Sequence, residues 1–504
     1  MRVLIFGVDG LAFRVLHPMM QAGYLPNFQA LARDGVESVL ESKYPPLTPP
    51  AWMSLSTGLK PAKHGTYDFW EYDEQGNDRL VSKRKDGKAI WNILSDYGKK
   101  VIVVNVPHTY GPDPVNGIMV SGIPGSEQAD FVYPKSFRDE LFAHVPGYRV
   151  DGNYSAVRQG KLTHAQAAVQ LMEQRIALMH YLLDTQEWDF SFITFCAADY
   201  LQHLVWEDIM RMEPEVMRYY QLLDEALGYA REAIGADGAL FVVSDHGFQG
   251  AKTKFAINEY LYRHGWLQTS RPLNRRKELV RMTGKQVLDR FNLLEVGRGL
   301  KYRFFSSPDQ PKKTKQTPYF SRQEQLDAGV SMTSYSAMSG GFADLCISKP
   351  MTEQQMADLR GELLSLTDPS TGQRVVDAMY STEVYGQGPY QPQEEHLLLL
   401  PGEGYTFTPV LGRPWLWERE QKFFGTHQKD GVLYAYGQNI KAGLKGTPAE
   451  IYDVVPTILR TMNLPVPTGL DGRVIEDLFV EQGQPESDEG ESKVARKLKL
   501  LLKQ

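Results

Sequence analysis

Short runs of uninterrupted apolar residues that end on a carboxylate or an imidazole recur along this chain, and they restrict it to one kind of architecture. Val3-Leu4-Ile5-Phe6-Gly7-Val8 stops at Asp9, and Ala239-Leu240-Phe241-Val242-Val243-Ser244 stops at Asp245-His246-Gly247. Phe192-Ile193-Thr194-Phe195-Cys196 is followed by Asp199 and His203. Between such runs lie longer helical patterns, 25–32 and the amphipathic 163–184 among them, and 101–106 makes one more short run. This alternation predicts βαβ units around a mostly parallel sheet flanked by helices. In such sheets ligands bind outside the carboxyl ends of the strands, where Asp9, Asn105, Asp199 and Asp245 fall. The expected class is α/β, and 504 residues with 42% hydrophobic content suffice for one large domain or a domain with an inserted cap.

The character changes over 271–315, where 13 Lys and Arg stand against 4 Asp and Glu, a local net of +9, with helical periodicity at Leu279, Val287, Leu288 and Phe291. This reads as an inserted basic, helical cap spanning 266–329, closed by a loop over 306–318 that contains Pro308, Pro311 and Pro318. The core is then 1–265 and 330–480, with strand-like 342–347 and 395–400 and a helix over 451–462 completing the sheet. The tail 481–504 divides by charge: five acidic residues and no basic ones over 481–492, then five basic and none acidic over 493–504. The acidic half reads as a linker, and the basic half as a solvated helix first and a peripheral contact for anionic lipid second.

A formal charge of -6 gives no general affinity for nucleic acid. Two cysteines, Cys196 and Cys346, cannot make a disulfide framework, which favours a reducing compartment. No stretch approaches the roughly 20 apolar residues of a spanning helix. The first strand-like run starts at Val3 and leads into Asp9, so the start reads as mature rather than as a signal peptide, and the expected location is cytoplasmic.

Asp199 and His203, at i and i+4, share one face of a helix and one metal could take both, although such a pair alone is a common surface hydrogen bond. Asp245-His246 is a stronger signal, because a turn after a buried strand directs both into a cleft and Gly247 allows a tight exit. Asp9 considered singly could be an N-cap, and His427, in the glycine-bounded loop 425–431, could simply be exposed. Thr48, in Pro46-Leu47-Thr48-Pro49-Pro50, occupies an N-cap position, with prolines suited to a first helical turn behind it. That geometry also offers a hydroxyl beside free backbone N–H groups that attract an oxyanion. A coordinated divalent cation is what lowers a threonine hydroxyl's pKa enough to make it a nucleophile.

In these residues the chain resembles the alkaline phosphatase superfamily, and within it the type I phosphodiesterase/nucleotide pyrophosphatase group. The resemblance runs from Val8-Asp9-Gly10 and Leu25-Pro26-Asn27 through Pro46-Leu47-Thr48-Pro49, Thr57-Gly58 and His64-Gly65. It continues through Asp199 and His203, Ser244-Asp245-His246-Gly247 and Gly425-Thr426-His427 to Asp453, Pro456 and Thr457. It implies an alkaline-phosphatase-like fold with one metal on Asp199, His203 and His427, and a second on Asp9, Asp245, His246 and the Thr48 oxygen. Zinc is usual in such relatives, and the donor set suits manganese about as well. The implied reaction is a two-step hydrolysis of a small anionic phosphoester through a phosphothreonine on Thr48.

The chain departs from this pattern after His64-Gly65, which continues Thr66-Tyr67-Asp68-Phe69 where many nucleotide pyrophosphatases place an asparagine for a phosphate oxygen. Nucleotide specificity therefore does not carry over. Asn105 could supply that amide or serve a local turn before Pro107, and His64 reads as supporting rather than ligating. Phosphomonoesterase and metal-dependent phosphomutase remain alternatives, although mutases of this superfamily use serine. Sulfatases need a Cys or Ser at the nucleophile position, and phosphoethanolamine transferases need spanning helices. A degenerate protein binding an anion or a partner through 271–315 is the non-enzyme alternative, opposed by the presence of every implied metal ligand.

Overall fold

The structure, a computed structural model, describes residues 1–42, 45–72, 78–268, 332–335, 341–347, 350–412 and 414–480. The basic stretch 271–315, its proline loop and the tail 481–504 lie outside the described residues. Strand β1 (Val3–Val8) is the axis of the fold, and all six of its residues are buried. Leu4, Phe6 and Val8 enter one core and Val3 and Ile5 the other, so both faces of the strand need apolar side chains.

Following β1 come α1 (Pro26–Asp34), β2 (Val36–Glu41) and α2 (Thr48–Thr57), then β3 (Val101–Val104), β4 (Gly117–Val120) and β5 (Val132–Tyr133). The long α3 (His164–Thr185) is capped by Thr163, whose hydroxyl accepts from the Gln166 N–H. It leads to β6 (Phe190–Phe195), α4 (Ala197–Met210), α5 (Pro214–Ala233), β7 (Ala239–Val243) and β8 (Gly247–Ala256). Later come β9 (Met332–Tyr335), β10 (Ala343–Ile347), β11 (Val376–Ser381), β12 (Glu395–Pro401), β13 (Gly404–Thr408), β14 (Trp417–Gln428), β15 (Asp430–Gly437) and α6 (Val454–Thr461).

The main sheet runs β2-β15-β7-β1-β6-β3-β4-β5, with the short strands Leu444–Lys445 and Ala449–Glu450 added to β2. Its centre, β7 to β4, is parallel, while β15 and β5 are antiparallel to their neighbours. Helices α1, α3, α4 and α5 cover one face and α2 and α6 the other. The expected fold class holds, and a C-terminal strand, β15, does complete the sheet. The segments 342–347 and 395–400 are strands as expected, but they pair with each other in a separate antiparallel sheet, β9-β10-β12-β11, over a third apolar core. The expected helix over 451–462 begins with a 3₁₀ turn, Ile451–Asp453, before α6.

Candidate metal and nucleophile site

Three parallel strands deliver the site. Asp9 follows β1, and its N–H still pairs with the Phe195 carbonyl at the end of β6. It is not a cap: the next helix starts from Ala12, and the buried Asp9 carboxylate instead accepts from Trp52 Nε1 at 3.2 Å. Asp199 lies in the first turn of α4, with His203 one turn on, as the i, i+4 spacing predicts. Asp245 and His246 occupy the bend between β7 and β8, both fully buried, and Gly10 N–H donates to Asp245 Oδ1 at 3.1 Å. Gly247 is indispensable for a different reason from the one the sequence suggests. Its φ is ordinary, but an added Cβ would lie 2.1 Å from the Asp430 carbonyl oxygen, so the chain crosses there only without a side chain.

His427 is not in a loop. It sits in β14, opposite Phe248 of β8, and this pairing carries it across the sheet to Asp199. Thr48 is the first residue of α2 rather than its N-cap, which is Leu47. That shift matters for the oxyanion expectation: Pro49 and Pro50 have no N–H, and Ala51 N–H is spent on the Leu47 carbonyl. Of the first four amides, only that of Thr48 can face an anion.

The three histidines share one arrangement. Nδ1 of His203 faces the Gly425 carbonyl at 3.0 Å, that of His427 the Pro46 carbonyl at 2.6 Å, and that of His246 the Gly247 carbonyl at 3.1 Å. A carbonyl only accepts, so each neutral ring must hold its proton on Nδ1 and present a bare Nε2 lone pair. Those lone pairs converge. Nε2 of His203 and of His427 are 2.9 Å apart, and Asp199 Oδ1 is 3.0 Å from His427 Nε2 and 3.4 Å from His203 Nε2.

On the other side, His246 Nε2 lies 3.3 Å from Asp245 Oδ2 and 3.5 Å from Asp9 Oδ1. These three atoms are buried and without a hydrogen-bond partner. Donors of Asp9, Asp245 and His246, and likewise of Asp199, His246 and His427, lie within 4.8 Å of one another. Two clusters of close acceptor atoms are an arrangement that divalent cations would relieve.

Crowding of these groups shifts each of them, and for His203 burial acts downward but Asp199 outweighs it and raises the ring. Burial, then the Asp245 and Asp199 charges, pushes the Asp9 carboxyl well above its ordinary range, and burial also raises Asp245. For Asp199 burial acts upward, but His203 and His427 outweigh it and hold the carboxyl low. Burial lowers His246 and His427, so both rings resist protonation.

A cavity of about 210 Å³ opens beside the cluster and includes Asp9, Thr48 and Asp199 in its wall. Asn105 lines it too, but its amide is engaged at both ends: Nδ2 donates to the Ser121 carbonyl at 3.1 Å, and Oδ1 accepts from the Tyr148 hydroxyl at 2.5 Å. Those contacts anchor the side chain and leave the second Nδ2 hydrogen uncommitted. His64 is buried between Ser54 Oγ and the Thr66 N–H, and burial lowers its pKa to about 3, so it is a neutral supporting residue. Among the four aromatics weighed for a leaving-group pocket, Tyr200 lines the cavity, Phe248 packs edge-on to His203 and His427, Trp206 is buried against Phe248, and Trp70 is exposed.

The sequence does not single out two contributors, Trp52 and Gln202, and Ser244 enters there only as part of a motif. Trp52 orients Asp9, Gln202 Nε2 donates to the Gly10 carbonyl at 2.8 Å, and Ser244 Oγ donates to the Leu11 carbonyl while accepting from Val432 N–H. Other shared motifs turn out to be scaffold. Asp224 accepts from the Asn27 and Phe28 amides, and Asp453 accepts from Arg473 and Glu450, holding the turn that α2 packs against.

The chain matches the family model for type I phosphodiesterase / nucleotide pyrophosphatase over residues 3–298. A bovine protein, ectonucleotide pyrophosphatase/phosphodiesterase family member 3, is 37% identical over 92 residues. That match spans 18% of this chain and a tenth of the bovine protein's length. Among solved structures, phosphonoacetate hydrolase from Sinorhizobium meliloti aligns with a TM-score of 0.54 at 15% identity, over 90% of this chain and 94% of the other. Human ectonucleotide pyrophosphatase/phosphodiesterase 5 aligns at 0.52 and 12%, over 95% and 100%. Its murine counterpart, described as an inactive threonine-to-alanine form in complex with AMP, aligns at 0.52 and 13%, over 95% and 100%. The chain belongs to the type I phosphodiesterase / nucleotide pyrophosphatase family.

Proposed function

We propose that this chain hydrolyses phosphodiesters in two displacements on Thr48, with two divalent cations, zinc or manganese, as resident cofactors. The observation that carries the proposal is the convergence of imidazole Nε2 atoms and orphaned carboxylate oxygens at the cavity that Thr48 lines. Asp199, His203 and His427 would hold one ion, and Asp9, Asp245, His246 and the Thr48 oxygen the other. When bound, such ions lower the pKa of a nearby hydroxyl and offset charge building on a phosphoryl group.

The chain's own residues do the rest. The Thr48 oxygen forms a bond to phosphorus as an ester P–O bond breaks and an alcohol departs. Water then cleaves the phosphothreonine, restoring the hydroxyl. Thr48 begins α2, and burial of the residue, 5% exposed, limits competing water. The murine relative described as inactive carries a threonine-to-alanine change, which is consistent with a threonine nucleophile in that protein.

The test is the hydrolysis rate of a chromogenic phosphodiester against the matching monoester, with zinc or manganese supplied, for the parent and Thr48→Ala. The parent is expected to prefer the diester, and Thr48→Ala to retain metal while losing turnover by a factor on the order of 10⁴ or more. A variant as active as the parent would remove Thr48 from the reaction, and a monoester preference would move the chain to the phosphatases.

A further inference from the structure

Arg175 projects from α3 into the same cavity as Thr48 and is 4% exposed. Its guanidinium is held rigidly. Nη2 donates to the Val150 carbonyl at 2.7 Å, and its central carbon lies 4.7 Å from the Tyr148 ring centroid. Tyr148 is itself tied by its hydroxyl to Asn105. Yet Nη1 is buried with no hydrogen-bond partner, and Arg175 makes no ion pair among the described residues. Asp151, which shares the cavity wall, bonds instead to the Gly152 N–H and Tyr154.

A structural arginine in so buried a place finds acceptors for its charge, because a desolvated cation left unpaired costs several kcal/mol. Its direct contacts are a single neutral carbonyl and an aromatic face, and the nearby Asp151 carboxylate, which makes no ion pair with it, offsets part of that cost through its charge. The guanidinium is planar and fixed, and Arg175 belongs to the wall of the cavity that Thr48 also lines. The rest of the wall is mainly apolar: Leu171, Met172, Phe195, Ile123 and Val150 are part of it. At about 210 Å³ the space falls below the range of about 300–1,000 Å³ of pockets for drug-sized ligands, so what enters is compact.

We infer that Arg175 is the anion-binding element of a substrate subsite: the ester group that lies in this cavity is small and carries its own carboxylate or phosphoryl group, which pairs with the Arg175 guanidinium. The inference rests on the phosphodiesterase reading above and adds the class of substrate. Arg175 is thus a specificity residue, with its effect confined to substrates that bring a second negative charge.

The experiment compares three nitrophenyl phosphodiesters with the same leaving group, in which the second ester group is methyl, carboxymethyl or phosphoethyl. Because the leaving group is constant, the ratio of kcat/KM for an anionic ester over the methyl ester reads the subsite alone. The parent should favour at least one anionic ester by about 10- to 100-fold, the range of a buried hydrogen bond to a charged group, and the arm that is favoured tells carboxylate from phosphoryl. Arg175→Gln should bring that ratio near one, and Arg175→Lys, which keeps the charge but loses the planar fork, should keep part of it. Calorimetric binding of phosphoglycolate to chelator-treated protein should weaken in the same order without reference to turnover. A parent that shows no anionic preference overturns the inference even if Arg175→Gln does not fold, and so does a ratio that Arg175→Gln leaves intact. Absence of turnover on all three esters by the metal-loaded parent would instead defeat the phosphodiesterase reading itself.

Discussion

Replacing Asp245 by asparagine should stabilise the protein stripped of metal and destabilise it when metal is supplied. Asp245 Oδ1 accepts from the Gly10 N–H, and asparagine keeps that oxygen. Its Oδ2 has no partner and lies 3.3 Å from His246 Nε2, another bare acceptor, within 4.8 Å of a donor of Asp9. An amide NH₂ at that place turns an acceptor facing acceptors into a donor, and it removes one of two buried charges. Two unit charges 4.8 Å apart repel by about 3 kcal/mol at an effective dielectric near 20. Protonation of one carboxyl relieves part of this, so the expected gain without metal is about 1–3 kcal/mol, a few degrees in Tm for a chain of this length. With zinc bound the sign reverses, because the lost ligand lowers affinity and with it the stabilisation that ligand binding confers. Thermal unfolding followed by circular dichroism, for the parent and Asp245→Asn, in chelator and in zinc, reads all four states. A variant that loses stability equally in both conditions would refute the reasoning, for Asp245 would then serve the protein's own packing.

Trp52→Phe removes the indole N–H that orients Asp9 while keeping an aromatic ring, and should weaken metal binding by about 10- to 100-fold in competition with a chromogenic chelator. Gly7→Ala should lower stability by about 1–3 kcal/mol in urea unfolding, since the new Cβ would stand 2.8 Å from the Trp52 ring and 3.0 Å from Thr194 Oγ1. Asp113 is opposed by burial but held at a pKa of about 2 by the Arg84 charge and by hydrogen bonds from Lys83, Trp91 and Arg84. A depressed pKa stabilises above the unfolded value and is lost as pH falls through the folded one. The stability of the parent over Asp113→Asn should therefore be at least about 2 kcal/mol at pH 6 and shrink between about pH 4 and 2; a pH-independent difference would exclude this linkage.

The parallel centre of the sheet was legible because a strand buried on both faces has to be apolar at every position, as in β1, β6 and β7. The acid that ends each run is the first residue free of that demand. His427 was misplaced because β14 lies at the edge of a three-stranded sheet and is mostly polar, Trp-Glu-Arg-Glu-Gln-Lys before Phe423, so it shows no apolar run. The sheet membership of β10 and β12 was illegible for another reason: local pattern specifies a strand but not the strand it meets. Arg175 reads as a polar position on an amphipathic helix, and it is buried because the Tyr148 to Asp151 segment folds over it.

The deepest gap concerns the histidines. Sequence offers each imidazole as a ligand candidate but cannot say which nitrogen carries the proton, and the tautomer decides whether the ring can ligate toward the centre at all. That choice is made by three main-chain carbonyls, Pro46, Gly425 and Gly247. Two of them lie more than 200 residues from the ring they lock. No substitution at Pro46 or Gly425 removes a carbonyl, so the locks are immune to side-chain change and depend only on the path of the backbone. The segment before α2 therefore has two functions in one stretch: Leu47 stands at the N-cap of the helix that Thr48 begins, and the preceding carbonyl fixes His427. Coupling the position of Thr48 to the tautomer of His427 through one rigid proline-rich segment keeps these two residues in register, and it gives Pro45-Pro46-Leu47-Thr48-Pro49-Pro50 a physical reason for its stiffness that a helix cap alone does not.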